Sequence, residues 1–182
     1  MRGTAILGNK ERQSYVKLDD LLHMLERRPP PTVPGTAVYL ASDPNIAPGA
    51  LLHSLKHFKT LHEHNVALTL VTADVPRVAD ADRIVMTQIN PKFMRVIMSF
   101  GYAEEPDVPH GLALCRKLGW KFDIMSTSFL ISRRTLRHSV SSEMPAWQSR
   151  IYMLLARNAA SASDYFNIPS GRVVEIGTQV NL

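Results

Sequence analysis

The sequence has a single cysteine, Cys115, in 182 residues. One cysteine excludes an internal disulfide and leaves no cysteine pair for a zinc site or a redox couple, which is typical of a reducing compartment. Long hydrophobic runs are also missing, because runs such as residues 66–71 fall far short of the roughly 20 apolar residues that a membrane-spanning helix needs. Residues 1–13 contain no apolar run of signal-peptide length. We therefore expect neither a membrane span nor an export leader in this chain.

Glycine is scarce, with 9 residues, and none of them forms a phosphate-binding loop. The patterns GxGxxG and GxxxxGK[ST] do not occur, so the sequence does not support a standard dinucleotide site or a P-loop. A GxSxG elbow is missing too, and a common α/β-hydrolase therefore has no visible nucleophile.

The remaining composition is that of one globular domain. Hydrophobic residues make up 45% of the chain and charged residues 20%, and a chain of this length buries roughly 70% of its unfolded surface. The net charge is +5. A positive charge favours contact with nucleic acid, a nucleotide or the anionic inner leaflet of a membrane, but it is equally compatible with an ordinary basic surface.

An amphipathic helix and a proline-rich linker are predicted before the domain. Leucines recur at positions 18, 21, 22 and 25 with helical spacing, and Pro29, Pro30 and Pro31 end the pattern. The leucine stripe can pack on the domain that follows or on a partner lying upstream. We assign residues 1–33 to this helix and linker, and residues 34–182 to the domain.

The domain reads as an α/β fold, a mixed sheet with parallel strands plus an antiparallel hairpin, flanked by helices. The apolar runs 37–41 and 66–71 predict buried parallel strands, joined by a helix over 48–63. Residues 84–89 and 93–100 predict a hairpin around the turn Asn90-Pro91-Lys92. Further elements are expected at 108–118 (helix), 128–132 (strand), from Pro145 (the longest helix) and 172–176 (strand).

Four residues near the predicted sheet edge are candidates for binding a ligand or a partner: Asp43, Lys56, His57 and Asp74. Asp43 and Asp74 follow the first two predicted strands, and in open α/β sheets ligands bind beyond the carboxyl ends of strands. The alternative is that the two aspartates only form turns.

Three other groups of residues have side chains that can take part in catalysis or ligand binding. His53 and His57 lie one helical turn apart and can face one metal, although a solvated polar face fits better because no third ligand is visible. Cys115 has basic neighbours that favour a reactive thiolate, yet a small half-buried helix residue is the simpler interpretation. The basic cluster of Arg133, Arg134, Arg137 and His138 can bind phosphate or remain a solvated or membrane-facing patch. We expect no catalytic or metal-binding residues.

Several short segments occur in a characteristic order: Val33-Pro34-Gly35-Thr36-Ala37-Val38-Tyr39-Leu40, Leu52-His53-Ser54-Leu55-Lys56-His57, Lys59-Thr60-Leu61-His62-Glu63, Gly101-Tyr102, Glu105-Pro106-Asp107-Val108-Pro109, Thr127-Ser128-Phe129, Arg157-Asn158-Ala159 and Arg172-Val173-Val174-Glu175-Ile176-Gly177-Thr178-Gln179-Val180. In order and approximate spacing, over about four-fifths of the chain, they resemble the cytosolic domain of the Kup (KUP/HAK/KT) family of potassium transporters. One departure is Phe58, which stands where the family often has Asn.

The resemblance implies a soluble domain on the cytoplasmic side of the inner membrane, attached to a membrane portion that imports potassium by symport with protons. Its role would be regulation, assembly or gating, without enzymatic activity. The expected partners are the membrane portion of the same transporter, a second copy in a homodimer and inner-leaflet lipid, with no nucleic acid. The N-terminal helix would be the connection to the last membrane helix, so the chain is expected to be a piece of a longer protein or the product of a shortened gene.

No resident cofactor is expected, and cyclic di-AMP, which some relatives bind, or another adenine nucleotide is the candidate regulatory ligand. A stand-alone module for such a nucleotide is the second hypothesis, because it needs only the α/β pattern, the positive charge and the polar strand ends. A small metal-dependent or thiol hydrolase using His53, His57 and Cys115 is the third hypothesis.

Overall fold

The computed structural model describes residues 16–120, 123, 126–137 and 166–181. Within these ranges lie three α-helices and six β-strands, together with a short 3₁₀ turn over Ser170–Arg172. The helices are α1 (Leu18–Arg27), α2 (Gly49–His57) and α3 (Val108–Lys117), and the strands are β1 (Thr32–Ala41), β2 (Leu61–Ala73), β3 (Ile84–Asn90), β4 (Phe93–Gly101), β5 (Thr127–Arg137) and β6 (Val173–Asn181).

The six strands form one mixed sheet in the order β3-β4-β2-β1-β5-β6. Five strands are parallel, and β3 is antiparallel to β4. At the centre of the sheet, Val38 on β1 lies opposite Val66 on β2 and Phe129 on β5. The predicted α/β fold class, with parallel strands plus one antiparallel hairpin, is confirmed.

Both faces of the sheet are covered, which explains why the central strands are continuously apolar. Successive side chains of a strand point to opposite faces, so Tyr39 joins one core and Val38 the other. The first core packs α1 and α2 on the sheet, and the second packs α3 on the opposite face. The first core contains Leu18, Leu21, Leu22, Ala37, Tyr39, Ala47, Ala50, Leu51, Leu61, Ala67, Phe93 and Leu130.

Helix α1 packs on the sheet through its leucine stripe. Leu18, Leu21 and Leu22 are buried, and burial of a leucine side chain stabilises the fold by roughly 1.5–3 kcal/mol. The Asp19 carboxylate lies 2.9 Å from the Arg95 guanidinium on β4, a second contact between α1 and the sheet. Of the two alternatives for the stripe, the structure shows packing on the domain that follows. The division of the chain at residue 33 stays a prediction.

The helix predicted over 48–63 is wrong in its second half, because α2 ends at His57 and β2 begins at Leu61. Lys59 has φ +56°, in the left-handed region, which stops the helix. Phe58 and Leu61 are spaced as on one face of a helix, which explains the wrong prediction. In the structure, Leu61 packs in the first core from β2, and Phe58 is exposed.

The other expected elements agree with the structure, apart from strand lengths. The hairpin of β3 and β4 and the helix α3 lie where predicted, whereas β1, β2, β5 and β6 are longer than their apolar runs. Gly119, just beyond α3, has φ +93°, as its predicted capping role requires. The helix expected from Pro145 lies outside the described residues. In the described ranges, no helix has the length and apolarity needed to cross a membrane.

Candidate functional site

The parallel strands give the sheet two chemically different edges. The amino edge is where β1, β2 and β4 begin, and the carboxyl edge is where they end. Because α2 connects the end of β1 to the start of β2, it runs back towards the amino edge, and α3 does the same after β4. Helix α1 begins beside the carboxyl edge, where the Leu18 backbone N–H donates to the Asn45 carbonyl at 2.9 Å. All three helices therefore end at the amino edge.

The four predicted site residues divide between these two edges. Asp43 follows β1 and Asp74 follows β2, so both lie at the carboxyl edge as predicted. Lys56 and His57 occupy the last turn of α2 and lie at the amino edge, exposed to solvent. The Asp43 carboxylate accepts a hydrogen bond from the Asn45 backbone N–H at 2.7 Å, the geometry of a turn former. The structure thus brings Asp43 and Asp74 to one edge and Lys56 and His57 to the other, and their roles stay predictions.

The histidine pair and the cysteine have the environments expected of structural residues. The rings of His53 and His57 stack with centroids 6.1 Å apart and planes 2° from parallel, and no group of three or more His, Cys, Asp or Glu side chains in the described ranges is arranged to hold a metal ion. Cys115 is fully buried in α3, where burial raises the pKa of its thiol to about 11. A thiol with so high a pKa is protonated at neutral pH and is a poor nucleophile.

Only part of the predicted basic cluster lies within the described residues. The Arg133 guanidinium lies 3.1 Å from the Glu175 carboxylate on β6, and both groups are partly or largely exposed. The side chains of Arg134 and Arg137, and the whole of His138, fall outside the described part of the chain.

A cavity of about 350 Å³ opens at the amino edge. Its volume is within the range of small-molecule sites, roughly 300–1,000 Å³. The cavity combines aromatic and aliphatic walls with amide and ammonium groups, a mixture suited to a flat polar ligand. Its lining includes His64, Asn65, Gln88, Asn90, Lys92, Phe93 and Trp120.

Asn65 anchors one wall of this cavity. The residue is 1% exposed, and its side-chain amide donates to the His62 carbonyl at 2.7 Å. Its backbone N–H donates to the Lys92 carbonyl at 2.8 Å, joining β2 to the hairpin turn. A buried amide with several partners holds its neighbours in one geometry. Burial lowers the pKa of His62, which favours its neutral form near pH 7.

The hairpin turn is also tied to α1 and β1. The Asn90 side chain accepts from the backbone N–H of Phe93 at 2.8 Å and donates to the Glu26 carboxylate on α1 at 3.2 Å. The Lys92 ammonium donates to the Thr32 hydroxyl at 3.0 Å. These contacts connect the predicted linker, the sheet and the wall of the cavity at one place.

A second, more apolar cavity of about 230 Å³ lies on the other side of the turn. It separates the C-terminal half of α1 and the following prolines from the start of β2 and β4. Its lining includes Leu22, Leu25, Pro29, Pro30, Leu61 and Phe93.

At the carboxyl edge, an arginine and a glutamate lock two loops together. The Arg83 side chain, which is 8% exposed, contacts the Glu104 carboxylate at 2.8 Å and lies over the Phe100 ring. Glu104 also accepts from the backbone N–H groups of Gly101 and Val78 at 2.6 and 3.2 Å. The hydrogen bonds from Arg83 first, and then from Gly101, lower the pKa of Glu104 to about 2. The pair therefore stabilises the loops and is not suited to bind a ligand, because the polar atoms of both side chains bond to groups of the protein itself.

Sequence reasoning missed the groups that line the amino edge and the Arg83–Glu104 pair. The sequence contained a partial signal for the amino-edge residues. The turn Asn90-Pro91-Lys92 was predicted, and a hairpin turn must lie at the edge where the second strand of its hairpin begins. Asn65, a polar residue immediately before an apolar strand, was a further signal. No local pattern links Arg83 to Glu104, because they are 21 positions apart on separate loops.

Comparison with known proteins adds independent information. The family model described as K+ potassium transporter C-terminal domain matches residues 34–182. The chain is 57% identical, over all of its length, to proteins named "Probable potassium transport system protein Kup" from Brucella anthropi, Brucella abortus and Brucella melitensis. It spans only 28% of the length of each of these curated relatives. No solved structure gives a significant match.

Proposed function

The chain belongs to the family of K+ potassium transporter C-terminal domains, and from this premise we propose that it is the regulatory or assembly part of a potassium uptake transporter. The observation that carries the proposal is the identity of 57% over the whole chain to Kup proteins of which it spans 28%. In the proposed protein, the remaining length contains the membrane portion that moves potassium together with protons. This domain itself carries neither the ion nor a chemical reaction.

The proposed location is the cytoplasmic side of the membrane. A single, buried cysteine supports it, because such a chain needs no oxidising compartment. The proposed partners are the membrane portion of the same protein and a second copy of the domain. Helix α1 is the proposed mechanical link, since it precedes the sheet and is bound to it through Leu18, Leu22 and the Asp19–Arg95 pair.

A domain of this kind changes transport only through differential binding. A ligand or a domain contact shifts the equilibrium between two transport states by no more than the difference in its affinity for them. The contacts of α1 with β4 and the hairpin turn are suited to this role, because Asn90, which donates to Glu26 on α1, also lines the amino-edge cavity.

The test compares potassium uptake in cells that lack their own uptake systems. One strain expresses the transporter that contains this chain, and the other expresses the same protein without residues 34–182. We expect altered uptake, or an altered response to external potassium, in the shortened protein at matched membrane abundance. Identical uptake and response would refute a regulatory role, and failure to find hydrophobic spans encoded in frame upstream of Met1 would refute attachment to a transporter.

We propose as a second candidate function that the domain binds an adenine nucleotide, such as cyclic di-AMP. The amino-edge cavity favours this function, since Trp120 offers a ring surface for a base while Gln88 and Lys92 offer polar groups.

Titration calorimetry with cyclic di-AMP, AMP and ATP tests the nucleotide hypothesis. Lys92→Gln should weaken binding if the ligand occupies the cavity at the amino edge. Asp43→Asn and Asp74→Asn should weaken it if the ligand lies at the carboxyl edge, as the sequence alone predicts. The absence of heat at millimolar nucleotide would reject both sites.

A further inference from the structure

Positive charge is concentrated at the amino edge of the sheet. The last turns of α1, α2 and α3 contain Arg27, then Lys56 and His57, then Arg116 and Lys117. These cations offset the partial negative charge of the helix C-termini, which accounts for their presence in the fold. In the described ranges, the ion pairs include neither Lys56 nor Lys117. Their charges therefore remain available to an external anion.

The opposite edge carries charges of both signs. The loops after β1, β2 and β4 contain the acidic residues of this edge, which are Asp43, Asp74, Asp80, Asp82, Glu104, Glu105 and Asp107. The same edge also carries cations, which are Arg77 and Arg83 in the loop after β2, and Arg133, Arg134 and Arg137 in the part of β5 that runs past the end of β1. The amino edge contains Glu63, near the start of β2, beside the cations of its three helix ends. A negatively charged surface is therefore attracted to the amino edge chiefly through these helix ends.

Two large apolar side chains are exposed among the cations of the amino edge. Phe58, at the end of α2, is 61% exposed and lies between His57 and Lys59 in the chain. Leu118, at the end of α3, is 58% exposed and directly follows Lys117. Helix capping accounts for the cations but not for exposed phenyl and isobutyl groups. Apolar side chains interspersed with lysine and arginine are typical of surfaces that rest on lipid headgroups.

We propose that the amino edge is a docking surface for the anionic headgroups of a lipid bilayer. Lys56, Lys59 and Lys117 contact the phosphates, and Phe58 and Leu118 enter the boundary between headgroups and acyl chains. A bilayer fits this surface better than a polynucleotide does, because α2 and α3 lie on opposite faces of the sheet and present their tips across a broad edge. This inference goes beyond the proposed function, since it assigns a lipid-binding face that exists whether or not the domain regulates transport.

In the proposed transporter, the length of chain before Val16 is compatible with this orientation. Val16 lies beside the carboxyl edge, where its carbonyl accepts from the Ala47 backbone N–H at 2.9 Å. A chain of 15 residues extends to roughly 50 Å, whereas a strand of ten residues is roughly 33 Å long. The part of the chain before Val16 is therefore long enough to pass along the domain to a membrane at the amino edge.

The experiment is flotation of the purified chain with vesicles of phosphatidylcholine alone or mixed with phosphatidylglycerol. We expect binding only to the mixed vesicles, and release at high ionic strength. Lys56→Gln should lower the partition coefficient about fivefold, and Phe58→Ser about tenfold. Two matched controls lie at the carboxyl edge: Arg77→Gln removes one exposed cation, and Tyr102→Ser removes an aromatic ring that is 65% exposed. Both controls should bind like the wild type.

Several outcomes would overturn the proposal. Equal binding to both kinds of vesicle, or no binding to the mixed vesicles at low ionic strength, would exclude an anionic-lipid surface. Losses as large for the Arg77 and Tyr102 variants as for the Lys56 and Phe58 variants would place the contact elsewhere. Binding of single-stranded RNA that is tighter than binding of the mixed vesicles, and that depends on Lys56, would identify a polyanion site instead. The thermal midpoint of every variant is measured as well, and an unchanged midpoint shows that a loss of binding is not caused by misfolding.

Discussion

The packing of α1 on the sheet can be tested by replacing one buried leucine. Leu22 is 3% exposed in the first core. Substitution of a buried leucine by alanine costs about 2–5 kcal/mol. Leu22 also borders the apolar cavity next to the prolines, so fewer of its contacts are with tightly packed atoms and the lower half of the range applies, about 2–3 kcal/mol. At roughly 2–4 °C per kcal/mol for a domain of this size, Leu22→Ala should lower Tm by about 5–10 °C.

The matched control is Met24→Ala on the same helix. Met24 is 56% exposed, and exposed substitutions change the free energy of unfolding by less than about 0.5 kcal/mol. Urea unfolding monitored by circular dichroism measures the difference, and hydrogen exchange of the α1 amides shows whether the helix detaches before the sheet unfolds. If Leu22→Ala and Met24→Ala have the same effect, α1 is not packed on the sheet in solution, and its proposed role as a link fails.

Three further predictions concern the Arg83–Glu104 pair and helix α3. Glu104 has a folded-state pKa below its unfolded value of 4.5, so its contribution is present above pH 4.5 and is lost as the pH falls towards 2; Glu104→Gln should therefore flatten the stability curve in this acid window, measured by thermal melts against pH. Cys115 should react with a disulfide reagent at pH 8 only in denaturant, since burial raises its pKa to about 11, and rapid labelling of the folded chain would contradict its burial. Gly111→Ala should cost about 1–3 kcal/mol, because the added methyl group overlaps the Met98 side chain; Gly171→Ala, whose methyl group meets no atom within 4 Å, is the control and should be neutral in urea unfolding.

Much of the fold could be predicted because it depends on patterns within short segments. The apolar runs of β1 and β2 and the proline-terminated leucine stripe of α1 each carry their own periodicity. The helix predicted to continue to residue 63 failed for the same reason, because Phe58 and Leu61 satisfy helical spacing by chance. A single residue, Lys59 with positive φ, decides where the helix ends.

The candidate sites were less predictable, because they are built from contacts between distant segments. The carboxyl-edge rule placed Asp43 and Asp74 together, whereas Lys56 and His57 lie at the other edge since a crossover helix runs against its strands. The amino-edge cavity needs β2, the hairpin turn and the end of α3 at once. None of these segments alone indicates a cavity.

The sequence by itself determined the fold class, the family and most strands and helices, because side-chain periodicity and motif order are properties of the linear chain. Only the tertiary structure decided which edge each polar residue occupies, that Arg83 holds Glu104, and that cations and exposed apolar side chains share the amino edge. The physical reason is that burial, pKa and electrostatic interactions depend on distances through space. Folding sets these distances, and they do not follow from the separation of two residues along the chain.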